Sequence, residues 1–142
     1  MSLPPAARRP LLLLSVPLCA VALAACGKAV STSGFKGQQH TIAQTISNLQ
    51  ADATAGEQKK ICADDIAAAI VAKLGGAKAC EAAIKSQLAE IDSLEVLIQS
   101  ITVATGGATA TAQVKSTVEG KPKRGTMSLV KEGSAWKISA VQ

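Results

Sequence analysis

Residues 109–119 read Thr-Ala-Thr-Ala-Gln-Val-Lys-Ser-Thr-Val-Glu, an alternation of polar residues with small or aliphatic ones. In a β-strand this alternation puts the two kinds of side chain on opposite faces, so the segment predicts a half-buried strand. Three further β-rich runs occupy residues 94–105, 126–131 and 135–141. Glycine-containing turns are predicted between the four runs, at residues 106–107, 120–125 and 132–134. The pattern indicates an antiparallel meander of four strands.

The first of these strands has an interruption in its alternation. Val96 and Ile98 share one parity in the sequence. Ile101 and Val103 share the other parity. One extra residue near positions 99–100 would bring both pairs to the same face, so we predict a β-bulge there that bends the strand.

The segment before the strands has a helical period instead. Apolar residues recur every three or four positions, which predicts three helices at residues 41–55, 57–74 and 77–89. Asp64 and Asp65 could cap a fresh helix start within the second segment, which would then consist of two helical pieces. Helices followed by a meander predict the α+β class, in which three N-terminal helices cover the apolar face of a curved four-stranded sheet.

The N-terminus has the features of an export signal. Arg8 and Arg9 precede an apolar run at residues 11–25, which is too short for the roughly 20 residues that a membrane-spanning helix needs. The run ends in Leu-Ala-Ala-Cys at residues 23–26, which resembles the lipobox of bacterial lipoproteins. We therefore predict that residues 1–25 are removed and that Cys26 carries a diacylglyceryl group, which gives stable membrane attachment. An ordinary signal peptide cut elsewhere, or a retained anchor, is the alternative.

This interpretation fixes the expected location and organisation. The protein is expected in the bacterial cell envelope, anchored by lipid on the outer side of the cytoplasmic membrane. Residues 26–39 are rich in Gly, Ser and Gln and predict a flexible tether. At 142 residues the chain has room for one domain, which is predicted to cover residues 40–142.

Composition and charge exclude several partners. The chain is 48% hydrophobic and contains one Phe, one Trp and no Tyr, so it lacks the aromatic platforms on which nucleic acids stack. Without Arg8 and Arg9 the chain has thirteen basic and ten acidic residues, a mild positive charge that suits an anionic membrane surface. The run Lys-Pro-Lys-Arg at residues 121–124 is predicted in a turn, where it guards the sheet edge or attracts anionic lipid. No nucleic-acid partner is expected.

Two cysteines, Cys62 and Cys80, remain in the predicted domain. In an exported protein they predict a disulfide bond, the alternative being two reduced cysteines buried on helix faces. There is no Cys-x-x-Cys pair, and the one histidine, His40, is expected to be solvated near the start of the first helix. No metal, cofactor, phosphate-binding loop or hydrolase motif is predicted.

The order of elements is similar to a known superfamily. The cysteine-containing helices, the strand Ala-Thr-Ala-Thr-Ala-Gln-Val at residues 108–114 and the ending Ser-Leu-Val-Lys-Glu-Gly-Ser-Ala-Trp-Lys-Ile at residues 128–138 resemble the nuclear transport factor 2-like superfamily. Within it, the chain is most similar to small secreted bacterial lipoproteins of unknown function. The resemblance covers residues 40–142 and implies a cone, in which a curved sheet and helices enclose a pocket.

The superfamily also includes ketosteroid isomerases and polyketide cyclases, which place Asp, His or Tyr inside the cone. Here the inward strand positions are apolar apart from Ser116: Ala110, Ala112, Val114, Val118, Met127, Leu129, Trp136 and Ile138. A general base is therefore missing from the strands, which predicts a non-catalytic domain, with a small enzyme of the isomerase or cyclase type as the alternative.

The partner of such a domain is expected to be an apolar small molecule in the cone or another envelope protein across the sheet. Alanines on the inner face leave space, so we predict an apolar pocket bounded by Ala112, Val114, Leu129 and Trp136.

Overall fold

The computed structural model of the chain describes residues 30–91, 94–118 and 120–142. The predicted signal peptide and Cys26 lie outside these residues. The helical elements are α1 (Gly37–Ala55), α2 (Gln58–Lys60), a π-helical turn (Ile61–Asp65), α3 (Ala68–Lys73) and α4 (Ala77–Leu88). The strands are β1 (Leu94–Val103), β2 (Thr109–Val118), β3 (Lys121–Glu132) and β4 (Ala135–Val141), which pair antiparallel in sequence order. The predicted α+β class and the meander are confirmed.

The predicted bulge in β1 is confirmed. The pairing of β1 with β2 shifts between Ile98 and Ser100, which leaves Gln99 as the extra residue. Val96 and Ile101, on either side of the shift, are both buried. The bulge therefore keeps the apolar residues of both halves of β1 on the inner face and increases the curvature of the sheet.

The core lies between α1 and the inner face of the sheet. Its buried side chains include Ile42, Ala43 and Ile46 of α1 and Ala110, Ala112, Val114, Leu129, Trp136 and Ile138 of the strands. Burying one large aliphatic side chain stabilises the fold by about 1.5–3 kcal/mol relative to leaving it exposed. The strand positions predicted to face inward thus form most of the core, whereas Ser116 and Val118 at the end of β2 are half-buried.

Side-chain hydrogen bonds hold α1 along the sheet. The Gln39 side-chain amide donates to the Ile101 carbonyl at 2.8 Å, and the Val96 N–H donates to the side-chain oxygen of Gln50, also at 2.8 Å. The Thr45 hydroxyl lies 3.4 Å from the Trp136 carbonyl on the opposite edge strand. Helix α1 is therefore fixed to both edges of the sheet.

The predicted tether at residues 26–39 includes residues that belong to α1 or pack on the domain. Helix α1 begins at Gly37, Val30 is buried in the core and Phe35 packs against it. His40, predicted to be solvated, is half-buried and has Nδ1 3.2 Å from the Thr32 carbonyl. Residues 30–36 thus pack on the domain, because two apolar side chains in a polar segment find places against the core.

The predicted helix at residues 57–74 is broken into shorter pieces. Ile66 forms a parallel bridge with Ile138 on β4, and the Ala67 N–H donates to the Ile138 carbonyl at 2.9 Å. This pairing requires extended backbone, so the helix cannot continue through it. The predicted cap at Asp64 and Asp65 is wrong, because α3 starts later and the N–H of Ala68 bonds to the Glu132 carboxylate at 2.9 Å.

The predicted turn at residues 120–125 is also wrong, because β3 already begins at Lys121. Lys121 pairs with Val118, and Arg124 pairs with Lys115, so the connection is tight and uses Gly120 at a φ of 74°. Strand β4 ends at Val141, and the β2–β3 hairpin extends past it. We call residues 115–124 of this hairpin the basic arm.

Candidate ligand-binding cleft

The four residues of the predicted apolar pocket lie in the closed core. Ala112, Val114, Leu129 and Trp136 have exposed fractions of 3% or less. Ile42 and Ile46 of α1 are fully buried in the same core cluster. The predicted pocket is therefore not found at these residues, and none of them lines the cavities described next.

An apolar cleft lies instead between α4 and β4. It consists of two cavities of about 200 and 250 Å³. Both cavities are lined by Ile66, Ile84, Gln87, Ile138 and Val141, so they are two lobes of one cleft, which we call the α4 cleft. Gln87 and Ser139 are the polar side chains among its described lining residues.

The two lobes reach different parts of the molecule. The first lobe extends to Ala53 of α1 and to Leu94 at the start of β1. The second extends to Ile70 and Leu74. Leu74 is 43% exposed and Val141 63% exposed, and such large apolar side chains at a surface mark binding sites when they adjoin an apolar cavity.

The sequence of α4 explains why the cleft is not filled. Cys80 is the one buried residue of this helix, whose remaining apolar positions are mostly alanine. Cys80 is joined to Cys62 of the π-helical turn by a disulfide with a Cα–Cα distance of 6.1 Å, which confirms the predicted bond. The helix is therefore held by a covalent link rather than by large side chains reaching the sheet.

A third cavity of about 440 Å³ adjoins the first lobe. It shares Ala53, Leu88, Ile91 and Leu94 with that lobe and also includes Gln58 and Lys85. The apolar cleft thus continues into a region with polar and charged groups. A ligand in the cleft could extend in this direction.

Asp65 is the one described carboxyl group with a strongly shifted pKa. It is 3% exposed, and its Oδ2 has no hydrogen-bond partner among the described residues. Burial raises the pKa of Asp65 to about 7, and the nearby charges of Asp52 and Asp64 add to the rise, while Lys137 and Lys60 oppose it. Asp65 does not line the α4 cleft.

The sequence predicts a helix cap at Asp65, but the structure places this carboxyl group in a buried turn. Asp65 follows Ile61 by four residues and Cys62 by three, so the helical period places it on the buried side of the segment. Lys137 approaches the same turn, where its ammonium group donates to the carbonyls of Ala63 and Asp64. The lysine therefore bonds the backbone of the turn.

The described residues have neither a metal-binding cluster nor a membrane-spanning helix. They contain no group of three or more His, Cys, Asp or Glu side chains arranged to hold a metal ion. Within the same part of the chain, no helix has both the length and the apolar character needed to cross a membrane.

Comparison with solved structures identifies the fold. A designed nuclear transport factor 2-like protein matches with a TM-score of 0.51 and 14% sequence identity, and the match covers 75% of this chain and 98% of the designed one. The chain therefore has the nuclear transport factor 2-like fold that its sequence resembles, a fold used both by binding domains and by isomerase-type enzymes. No protein-family model and no curated protein matches the sequence.

Proposed function

We propose that the chain is a non-catalytic lipoprotein of the bacterial cell envelope whose domain binds an apolar small molecule in the α4 cleft. The observation that carries this proposal is the cleft itself, with two connected lobes of about 200 and 250 Å³ and an apolar lining. Apolar ligands bind in concave sites of this kind, where a few polar groups fix their orientation. Gln87 and Ser139 are the candidates for that role.

Membrane tethering rests on the N-terminal sequence. The basic start, the apolar run and the small residues before Cys26 together favour acylation at this cysteine on the outer side of the cytoplasmic membrane. Val30 is buried in the domain, and the four Cα–Cα steps from Cys26 to Val30 span at most about 14 Å. A lipid on Cys26 would therefore hold the domain close to the membrane surface.

The lining of the cleft favours binding over catalysis. None of its described side chains titrates, since Cys80 is in a disulfide and the polar members are an amide and a hydroxyl. Asp65 is the group on which the alternative, a small enzyme of the isomerase or cyclase type, would depend. A general base must lie within hydrogen-bond reach of its substrate, and Asp65 does not line the cleft.

A protein partner bound across the sheet is less favoured. The outer face of the sheet presents exposed polar side chains such as Thr111 and Gln113 of β2. Among the described residues of this face, Leu97 of β1 is the large apolar side chain that is exposed. Protein interfaces generally have an apolar, fully desolvated centre. An isolated leucine among polar groups does not provide one.

Isothermal titration of the purified domain with dodecanol tests the binding proposal. Ala53 lines the cleft and Ala51 is exposed on the same helix, so Ala53→Leu should fill the first lobe and Ala51→Leu is the matched control. We expect binding by the parent and the control, and at least about tenfold weaker binding by Ala53→Leu. Equal affinity in all three proteins would show that the cleft is not the site.

Labelling with a clickable fatty acid tests the anchor separately. The parent should incorporate the label and fractionate with membranes, whereas Cys26→Ser should do neither. A variant that labels like the parent would contradict acylation at Cys26.

A further inference from the structure

The positive charge of the chain is concentrated in the basic arm. From Cys26 onward the chain has thirteen basic and ten acidic residues, and the arm has four basic residues and one acidic residue. The arm therefore contains the whole surplus of positive charge. Its cations, Lys115, Lys121, Lys123 and Arg124, form no ion pair with the described residues.

The register of the sheet divides these cations between two faces. Lys115 and Arg124 are directly opposite each other on the outer face. Lys121 and Lys123 have the parity of Met127 and belong to the inner face, which is the face that borders the α4 cleft. Like charges opposite each other destabilise a strand pair, so the arm keeps its cations at a cost in stability.

The inner-face lysines lie between two residues that line the cleft. Lys121 pairs with Val118, which in turn pairs with Leu94 of the first lobe. With neighbouring strands about 4.8 Å apart, Lys121 and Leu94 are about 10 Å apart across the sheet. On the other side, Val141 of β4 pairs with Met127, four residues from Lys123 on the same strand.

We infer that the α4 cleft binds a single-chain anionic amphiphile, whose alkyl chain lies in the cleft and whose carboxylate or phosphate group contacts Lys121 and Lys123. This inference rests on the proposed function and names its ligand class. Charge complementarity supports it, because two ammonium groups that form no ion pair with the described residues lie at the end of the sheet that β4 does not cover. Ammonium groups bind carboxylate and phosphate oxygens through charge-assisted hydrogen bonds.

Four proteins and three probes test this inference. The proteins are the parent, the inner-face variant K121A/K123A, the outer-face control K115A/R124A and Ala53→Leu. The control K115A/R124A removes the same number of charges from the same arm as the inner-face variant does. The probes are dodecanol, dodecanoate and dodecyl phosphate, each titrated calorimetrically below its micelle concentration. Each probe has twelve carbon atoms, of which the carboxylate of dodecanoate contains one, and the probes differ in the head group.

We expect the parent to bind one or both of the anionic probes about tenfold more tightly than dodecanol. K121A/K123A should lose this preference while its affinity for dodecanol stays unchanged, and K115A/R124A should keep most of it. A difference between dodecanoate and dodecyl phosphate would identify which head group is preferred. Added salt should weaken the preference, since it screens exposed charges.

Three results would overturn the inference. Equal affinities of the parent for all three probes would show that the head group is not recognised, and would leave apolar binding intact if Ala53→Leu still weakens it. An equal loss of preference in K115A/R124A would show that the preference comes from the electrostatic field of the whole arm, and not from contact with the lysines of the inner face. No binding of any probe to the parent would reject both the inference and the proposed function.

Discussion

Helices α1 and α4 both belong to the layer that covers the sheet, but they differ in how much they bury. Helix α1 buries Ile42, Ala43, Ile46 and Gln50, whereas α4 buries Cys80 alone. The side of the domain under the buried face of α1 is consequently a closed core, whereas the cleft lies beside α4 and reaches α1 at Leu49 and Ala53. Two helices with the same period can thus produce a packed layer or a cavity, depending on the size of the side chains that they direct inward.

The two helices are also fixed in different ways. Gln39, Thr45 and Gln50 of α1 form hydrogen bonds with backbone groups of β1 or β4. Helix α4 depends on the disulfide between Cys80 and Cys62. A covalent link holds a helix in place without filling the space beneath it, which is what a binding cleft requires.

The largest expected effect comes from Asp65, in the turn that joins the two sides. Because its pKa is raised from 3.8 to about 7, the folded chain keeps a proton between those values that the unfolded chain loses. The stabilising contribution of the neutral carboxyl is fully present below about pH 4. As the pH rises from about 4 to 7 this contribution is lost, and the free energy of unfolding falls by about 4 kcal/mol in total.

Asp65→Asn should therefore remove this pH dependence. Urea unfolding at pH 4 and pH 8 measures it, and the parent should lose more stability between the two values than the variant does. Glu90 is exposed and is not among the charges that act on Asp65, so Glu90→Gln is the control. Parallel stability curves for the parent and Asp65→Asn would contradict the account of Asp65.

The next largest effect is expected from the disulfide, whose loss should affect α4 more than α1. Replacing both Cys62 and Cys80 with Ala should reduce the free energy of unfolding by about 3 kcal/mol, because the unfolded chain gains freedom. Amide hydrogen exchange should show a larger loss of protection in α4 than in α1. Equal losses in both helices would mean that α4 is not held mainly by the disulfide.

A smaller effect is expected when side-chain volume is added in the closed core or beside the cleft. Ala112→Leu adds a large side chain to the closed core and should cost about 1–3 kcal/mol, because the neighbours of Ala112 must shift. Ala53→Leu adds the same atoms beside the cleft and should change stability by no more than about 0.5 kcal/mol. Thermal unfolding of both variants measures the contrast, and similar losses would mean that the cleft has no spare volume.

The sequence predicts the sheet better than the helices or the site. The alternation in β2 and the change of parity around Gln99 determine which residues face inward, and both predictions are confirmed. The break at Ile66 depends on pairing with β4, which lies more than seventy residues later and leaves no local signal. Tertiary pairing of this kind overrides a local helical period.

The predicted pocket was wrong for a related reason. Small residues on a strand, such as Ala112, suggest empty space only if nothing large faces them, and the sequence does not say which helix lies opposite. The alanines of β2 are buried in one cluster with Ile42 and Ile46 of α1, whereas the alanine-rich α4 adjoins the cleft. The disulfide, by contrast, was predicted by counting the cysteines of a domain that the sequence predicts to be exported, and it is confirmed.

We place the proposed binding site under α4, whereas the side under the buried face of α1 is closed. Methyl-detected NMR titration of the domain with dodecanol tests it most directly, because Ile84 and Leu88 report on the cleft while Ile42 and Leu129 report on the core. We predict concentration-dependent shifts of the Ile84 and Leu88 methyl resonances, with those of Ile42 and Leu129 nearly unchanged. Shifts of Ile42 and Leu129 without shifts of Ile84 and Leu88 would contradict the claim.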